Sequence, residues 1–193
     1  MNIILASKSP RRIEIMRNHG IDPIIMPSDI EENPPLYGGL HETPMFLALK
    51  KALDIESKSD TDCKDYIIAA DTIVYSDHAI GKPEDKEDAL EILMSLSGKK
   101  HFVATGCAII KAHEPVRRCF TVVTEVHFKS YTAEELDDYL NTDEPYDKAG
   151  AYAIQGYFGR YIDHFEGSLD NVIGFPWEEI EAELKDMGYE TSR

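Results

Sequence analysis

Short apolar runs alternate along the chain with charged breaks marked by glycine or proline, and this pattern predicts elements from end to end. Ile3-Ile4-Leu5 reads as a buried strand. Ser9 stands at an N-cap position and Pro10 at N1 of a helix running to His19, where Gly20 stops it. Ile24-Ile25-Met26, between Pro23 and Pro27, is a second short strand. Ser28 to Glu42 has prolines, glycines and acidic residues but no period; it is the longest predicted loop, a kind that often carries function. Thr43 and Pro44 cap the next helix, whose apolar face is predicted at Phe46, Leu49 and Leu53 with Ala48 and Ala52. Polar residues from Glu56 to Asp65 form a loop. Tyr66 to Ala70 is a buried-type strand that ends on Asp71-Thr72, with Ile73-Val74-Tyr75 continuing it.

After a turn at Ser76-Asp77-His78 and the tripeptide Gly81-Lys82-Pro83, a helix is predicted from Lys86 to Leu96, stopped by Ser97-Gly98. Two long strands rich in β-branched residues follow, His101 to His113 and Val116 to Phe128, as an antiparallel hairpin through Glu114-Pro115. Thr132 and Glu135 form a capping box for a helix to Asn141. Asp143 to Gly174 is dense in glycine, aspartate and aromatics, with one strand at Tyr161 to Glu166. Pro176 opens a last helix, Trp177 to Met187, ended by Gly188. With no repeat, low-complexity tract or linker, a single domain over residues 1–193 is the expectation.

Composition narrows the function classes. No apolar run is long enough to span a bilayer. Strand residues begin at Asn2-Ile3, without a basic then apolar leader, so a soluble, unprocessed cytoplasmic protein is expected. The net charge of −16, from 36 acidic and 20 basic side chains, opposes nucleic acid and anionic membrane as partners. The acidic excess lies mainly at Glu134 to Asp147 and Glu178 to Glu190, as solvated helix faces. Cys63, Cys107 and Cys119 show no paired spacing that suits zinc, and their odd number fits a reducing compartment.

Against this acidic background, the stretch Leu5-Ala6-Ser7-Lys8-Ser9-Pro10-Arg11-Arg12 gathers positive charge where a strand feeds a helix N-terminus, an anion-binding arrangement. Two arginines in a first turn oppose the helix dipole, and a bound polyanion supplies a reason for them. The alternative is a surface turn with solvated side chains. Asp71, at the end of an apolar strand, suits binding a divalent cation or activating a water; the plainer alternative is a hydrogen-bonded turn. Glu32, beside Glu31 in the long loop, offers a second oxygen ligand. Lys51, Lys82 and Lys148 sit where a cleft is plausible and suit phosphate as point charges. Gln155 offers the donor and acceptor that a nucleobase edge requires, or is a strand-face glutamine. His19, His41 and His164 share no pattern, and neither a GxxxxGK[ST] nor a GxGxxG motif is present.

Taken together, these stretches resemble the Maf family of nucleotide pyrophosphatases. The matching pieces are Leu5 to Arg12, Glu31-Glu32, Lys51-Ala52, Ala70 to Val74, Gly81-Lys82-Pro83, Leu96 to Gly98 with His101, Thr105-Gly106, Glu144-Pro145, Asp147 to Tyr152, Ile154 to Gly156, Gly167-Ser168, and Asn171 to Gly174 with Pro176. They fall in family order over nearly the whole chain. The resemblance implies an α/β fold with a central mixed, largely antiparallel extended sheet flanked by helices, and two lobes with a cleft. It implies hydrolysis of a nucleoside triphosphate to monophosphate and pyrophosphate with Mg²⁺ or Mn²⁺. Asp71 matches the catalytic base and, with Glu32, a metal-linked position; how Asp71 divides between those two tasks stays open. Ser7, Arg11, Arg12, Lys51 and Lys82 match the phosphate-handling set. Arg11, Thr72 and Gln155 match positions tied to selectivity, in the combination of the branch acting on dTTP, UTP and modified pyrimidine nucleotides. A homodimer is also implied. Two alternatives stand beside this reading: a non-catalytic nucleotide-binding regulator linked to cell division, and a nucleotidyltransferase. Retention of Asp71, Glu32 and both lysines speaks against the first; no acceptor site is identifiable for the second.

Overall fold

The computed structural model describes residues 1–36, 38–58 and 64–189. The predicted loop from Glu56 to Asp65 is therefore covered only in part, and Cys63 and Glu190 lie outside the described residues. Among the described residues, seven strands form one mixed sheet. They are β1 (Ile3–Leu5), β2 (Ile24–Ile25), β3 (Tyr66–Tyr75), β4 (Ala79–Ile80), β5 (Lys100–Lys111), β6 (Arg117–Phe128) and β7 (Ile162–Glu166). The order is β2-β1-β3-β5-β6-β7, with β4 also on β3. Only β1 pairs in parallel, with β2 and with β3; the remaining ladders are antiparallel. Among the described residues, six helices flank the sheet: α1 (Pro10–Asn18), α2 (Glu42–Lys58), α3 (Lys86–Leu96), α4 (Ala133–Leu140), α5 (Leu169–Ile173) and α6 (Trp177–Asp186).

The long strands β3, β5 and β6 run through two lobes, and alternation along them assigns each residue to a core. In the first lobe, Ile67 and Ala69 face Ala48, Ala52 and Ile55 of α2. Their neighbours Tyr66, Ile68 and Ala70 turn the other way, onto Met16 of α1 and Trp177, Ile180 and Leu184 of α6. The second lobe packs α3 and α4 over Val74, Val103, Val126 and Phe128, with an aromatic cluster of Tyr131, Tyr139, Tyr152 and Phe158.

The two lobes part along one edge of β3. There β1 pairs with Tyr66, Ile67 and Ile68, and β4 pairs with Val74 and Tyr75. The stretch between them has a strand neighbour only on the β5 side, so a cleft opens beside it. The expected continuation through Asp71-Thr72 to Tyr75 is present. β3 continues unbroken because β5 pairs with all ten of its residues, including Asp71 with Gly106 and Thr72 with Thr105.

The differences from the sequence pattern have physical causes. α2 begins at Glu42, placing Thr43 and Pro44 inside its first turn. Its buried face is Leu47, Ala48, Lys51, Ala52 and Ile55, whereas Phe46 and Leu53 are each 42% exposed. Small alanines, rather than the larger apolar residues, let this helix lie close to the sheet. Gly106 makes the approach possible: a Cβ there would sit 2.1 Å from Met45 N and 2.2 Å from Pro44 C. Ser9 holds the N-cap position of α1 without a side-chain cap bond. The short helix α5 and the 3₁₀ turns at Pro145–Asp147, Ala149–Ala151 and Tyr157–Tyr161 fill the glycine-rich segment that gave no periodic signal. Cys107 is buried and Cys119 exposed. Among the described residues, no helix is long and apolar enough to cross a membrane.

Candidate active site

The cleft between the lobes encloses about 850 Å³, within the range of small-molecule sites. All nine residues to which the family resemblance gives a role line it: Ser7, Arg11, Arg12, Glu32, Lys51, Asp71, Thr72, Lys82 and Gln155. Its walls carry six basic and four acidic side chains, counting Lys8, Lys148, Asp29 and Asp147 with those nine. A chain of net charge −16 thus gathers six of its 20 basic side chains in one cleft, and such a wall attracts a polyanion.

On the α2 side of the sheet, Lys51 Nζ donates to Asp71 Oδ1 at 2.6 Å and pairs with Glu32 Oε1 at 2.7 Å. Lys51 and Asp71 side chains are each only 10% exposed, whereas Glu32 is 53% exposed at the cleft wall. A buried lysine is tolerated because two carboxylates meet it. The loop is held in place to supply Glu32: Ser28 Oγ donates to Asp54 Oδ2 at 2.7 Å, and Lys50 Nζ donates to Glu31 O at 3.2 Å. Burial alone would raise the Glu32 carboxyl, but the hydrogen bond and charge of Lys51, with Lys82 and Arg12 further off, hold it below the usual glutamate value.

The opposite face is organised around Arg12. Its Nε donates to Gly174 O at 2.9 Å, and its Nη1 to Ala70 O at 2.7 Å and Ser7 Oγ at 3.2 Å. Its Nη2 donates to Thr72 Oγ1 at 3.3 Å. Thr105 Oγ1 donates to Asn171 O at 3.1 Å, so the 3.0 Å contact between the two threonines runs from Thr72 to Thr105. Asn171 closes the network by donating to Val103 O and Thr124 Oγ1. Arg12 thereby ties the open edge of β3 to the end of α5. Burial lowers its pKa from the ordinary arginine value, with the Asp71 carboxylate opposing the shift.

The second lobe supplies the other wall. Gly150, at φ +74°, donates its N–H to Gly81 O at 3.0 Å, bringing the Lys82 and Lys148 segments together. A Cβ at Gly150 would meet Val74 Cγ2 at 2.8 Å. Lys148 Nζ donates to Glu144 O at 2.7 Å and pairs with Asp147. Asp147 also faces Arg11 across the cleft at 3.9 Å. Gln155 is exposed on a bend between two 3₁₀ turns, not on a strand. Tyr152, on the cleft wall, meets buried His101 Nε2 at 2.7 Å. Burial, with a smaller effect from His127, lowers His101 to about 4, so its ring is neutral near pH 7.

The sequence reading assigned no task to Gly106, Asn171 or Tyr152, although all three lay in the matched pieces. A glycine inside a long strand was the available signal for Gly106. Asn171 and Tyr152 act through long-range contacts that no local pattern announces.

A mixed sheet with helices on both faces and a cation-walled cleft between two lobes defines an α/β protein of the fold seen in the Ham1 protein of Staphylococcus aureus. That structure is 12% identical, with a TM-score of 0.51 over 97% of this chain and 100% of its own. A family model described as Maf-like protein matches residues 2–187, and the chain belongs to that family. Among curated relatives, a dTTP/UTP pyrophosphatase of Desulfitobacterium hafniense (strain Y51) is 41% identical over 96% of this chain and 85% of its own length. Proteins of the same name from Caldicellulosiruptor bescii and Clostridioides difficile (strain 630) are 39% and 40% identical. They cover 97% and 96% of this chain, and 96% and 94% of their own lengths.

Proposed function

We propose that this chain hydrolyses nucleoside triphosphates, dTTP and UTP foremost, to the monophosphate and pyrophosphate, and so removes modified pyrimidine nucleotides from the pool. The observation that carries the reading is the meeting of Lys51, Asp71 and Glu32 on the wall of a cation-lined cleft, in a family whose curated relatives bear that activity in their names. In this reading water attacks the α-phosphorus. Its oxygen forms the new P–O bond, its proton passes to the Asp71 carboxylate, and the bond to the β-phosphate bridge oxygen breaks to release pyrophosphate. Lys51, bonded to Asp71 Oδ1, holds that carboxylate in place at the cleft wall. Arg11, Lys82 and the hydroxyl of Ser7 neutralise and orient the phosphates, a task in which positioning and charge supply most of the rate. Arg12 shapes that wall through its own hydrogen bonds while adding its charge. Arg11, Thr72 and Gln155 select the base.

A divalent cation fits this donor set. Carboxylate oxygens of Asp71 and Glu32 already converge on one positive centre, the Lys51 ammonium, and hard oxygen donors suit Mg²⁺ or Mn²⁺. Those two residues would hold the ion, and it would supply charge neutralisation at the phosphate oxygens. A cytoplasmic setting, a homodimeric state, and no nucleic-acid or membrane partner complete the proposal, the last resting on the strongly acidic net charge. Pyrophosphate release measured over a panel of triphosphates with Mg²⁺ or Mn²⁺ tests it. The expected result is equal amounts of monophosphate and pyrophosphate, fastest from UTP and dTTP. Binding without any pyrophosphate would overturn the enzymatic reading in favour of a non-catalytic regulator.

A further inference from the structure

Away from the cleft, the β6–β7 ladder places four ionisable side chains in a two-by-two patch. His127 pairs with His164 and Glu125 with Glu166 across the strands. Val126 and Phe128 point into the second-lobe core, so alternation turns Glu125 and His127 to the opposite face. The His127 and His164 rings stack with centroids 4.1 Å apart. Ligand atoms of His127, His164 and Glu166 lie within 4.8 Å of one another, and none of these residues lines the cleft.

We propose that His127, His164 and Glu166 form a binding site for a divalent transition-metal ion of the zinc class, separate from the cation position in the cleft. Three observations support it. Two imidazoles with one carboxylate are a donor set that prefers Zn²⁺, Ni²⁺, Cu²⁺ or Co²⁺ to Mg²⁺. Each ring has one nitrogen held by a carboxylate: His127 Nε2 meets Glu125 Oε1 at 2.7 Å, and His164 Nδ1 meets Asp163 Oδ2 at 2.9 Å. Such bonds orient a histidine and leave its opposite nitrogen for a metal. Finally, Glu125 faces Glu166 directly across the ladder, a like-charge pair that costs stability unless a cation offsets it; Lys100 does this for Glu125 alone, at 3.1 Å. Donors on one zinc at about 2.1 Å lie about 3.4 Å apart. For both lone pairs to converge on one ion, the exposed His164 ring must turn out of its stack on His127, with water in the fourth position.

The proposal does not depend on the reaction assigned to the cleft. Calorimetric titration of the full chain with Zn²⁺ tests it, alongside the visible absorption of bound Co²⁺. One saturable site is expected, undisturbed by a large excess of Mg²⁺. It weakens by about tenfold or more in His127→Ala, His164→Ala and the milder Glu166→Gln, and it persists in the double variant Glu32→Gln/Asp71→Asn. Zn²⁺ binding that is absent, or that survives His127→Ala with His164→Ala, overturns the proposal; so does binding lost only when Glu32 and Asp71 are changed.

Discussion

Asp71 and Thr72 are neighbours on β3, yet they serve two different constructions. Asp71 points to the α2 face, where three charges meet and one partner, Glu32, sits on an exposed loop. Thr72 points to the α1 face, where Arg12, Thr105 and Asn171 are committed to one another and to backbone carbonyls. The first group has carboxylate oxygens at a cleft wall and a lysine whose partners are side chains. The second spends most of its hydrogen bonds on strand and helix ends. Strand alternation thus separates an ion-paired face from a hydrogen-bonded supporting face within two residues, and the open edge of β3 lets one cleft touch both.

Substitutions sharpen the contrast. The largest effect on stability is expected from Lys51→Met, which leaves Asp71 buried beside Glu32 without the ammonium. A cost of about 4 kcal/mol and a Tm lower by roughly 10 °C follow from breaking such a pair, with activity lost as well. An unchanged Tm in a melting experiment would mean that the cluster is not coupled to the fold. Arg12→Ala strands the carbonyls of Ala70 and Gly174, and about 3 kcal/mol is expected from charged hydrogen bonds of this kind. Denaturant titration should show that loss; a loss of turnover with stability intact would move Arg12 to the reactive side. Gly106→Ala pushes the first turn of α2 away from Asp71, at about 2 kcal/mol. Crystallography of that variant should show Lys51 displaced from Asp71. Gln155→Ala is the mildest: an exposed position should change stability by less than about 0.5 kcal/mol. The ratio of rates on UTP and a purine triphosphate should nevertheless change, and an equal fall in both rates would place base selection elsewhere.

Much of this architecture was legible in the sequence because it is locally encoded. The capping box at Thr132, the paired long strands and the opening strand-to-helix turn all depend on near neighbours. Eight of the nine cleft residues were legible because their types, in those settings, suit phosphate and base chemistry; Thr72 was marked only by the family resemblance. What escaped was set at long range. The buried face of α2 follows from its contact with Gly106, sixty residues on, not from the size of its apolar side chains. Arg12 reads as a phosphate ligand in isolation, and its ties to Ala70 and Gly174 exist only once three segments meet. His164 shared no pattern with His19 or His41, and its pairing with His127 comes from strand register alone.

The central claim is that the Asp71 carboxylate works on the substrate and is not merely the structural partner of Lys51. Asp71→Asn tests this most directly, since the amide oxygen can still accept the Lys51 hydrogen bond while losing the ability to take a proton from water. With UTP as substrate, kcat should fall by about a hundredfold or more while Tm stays near that of the parent protein. A kcat within about threefold of the parent, at equal Tm, would contradict the account.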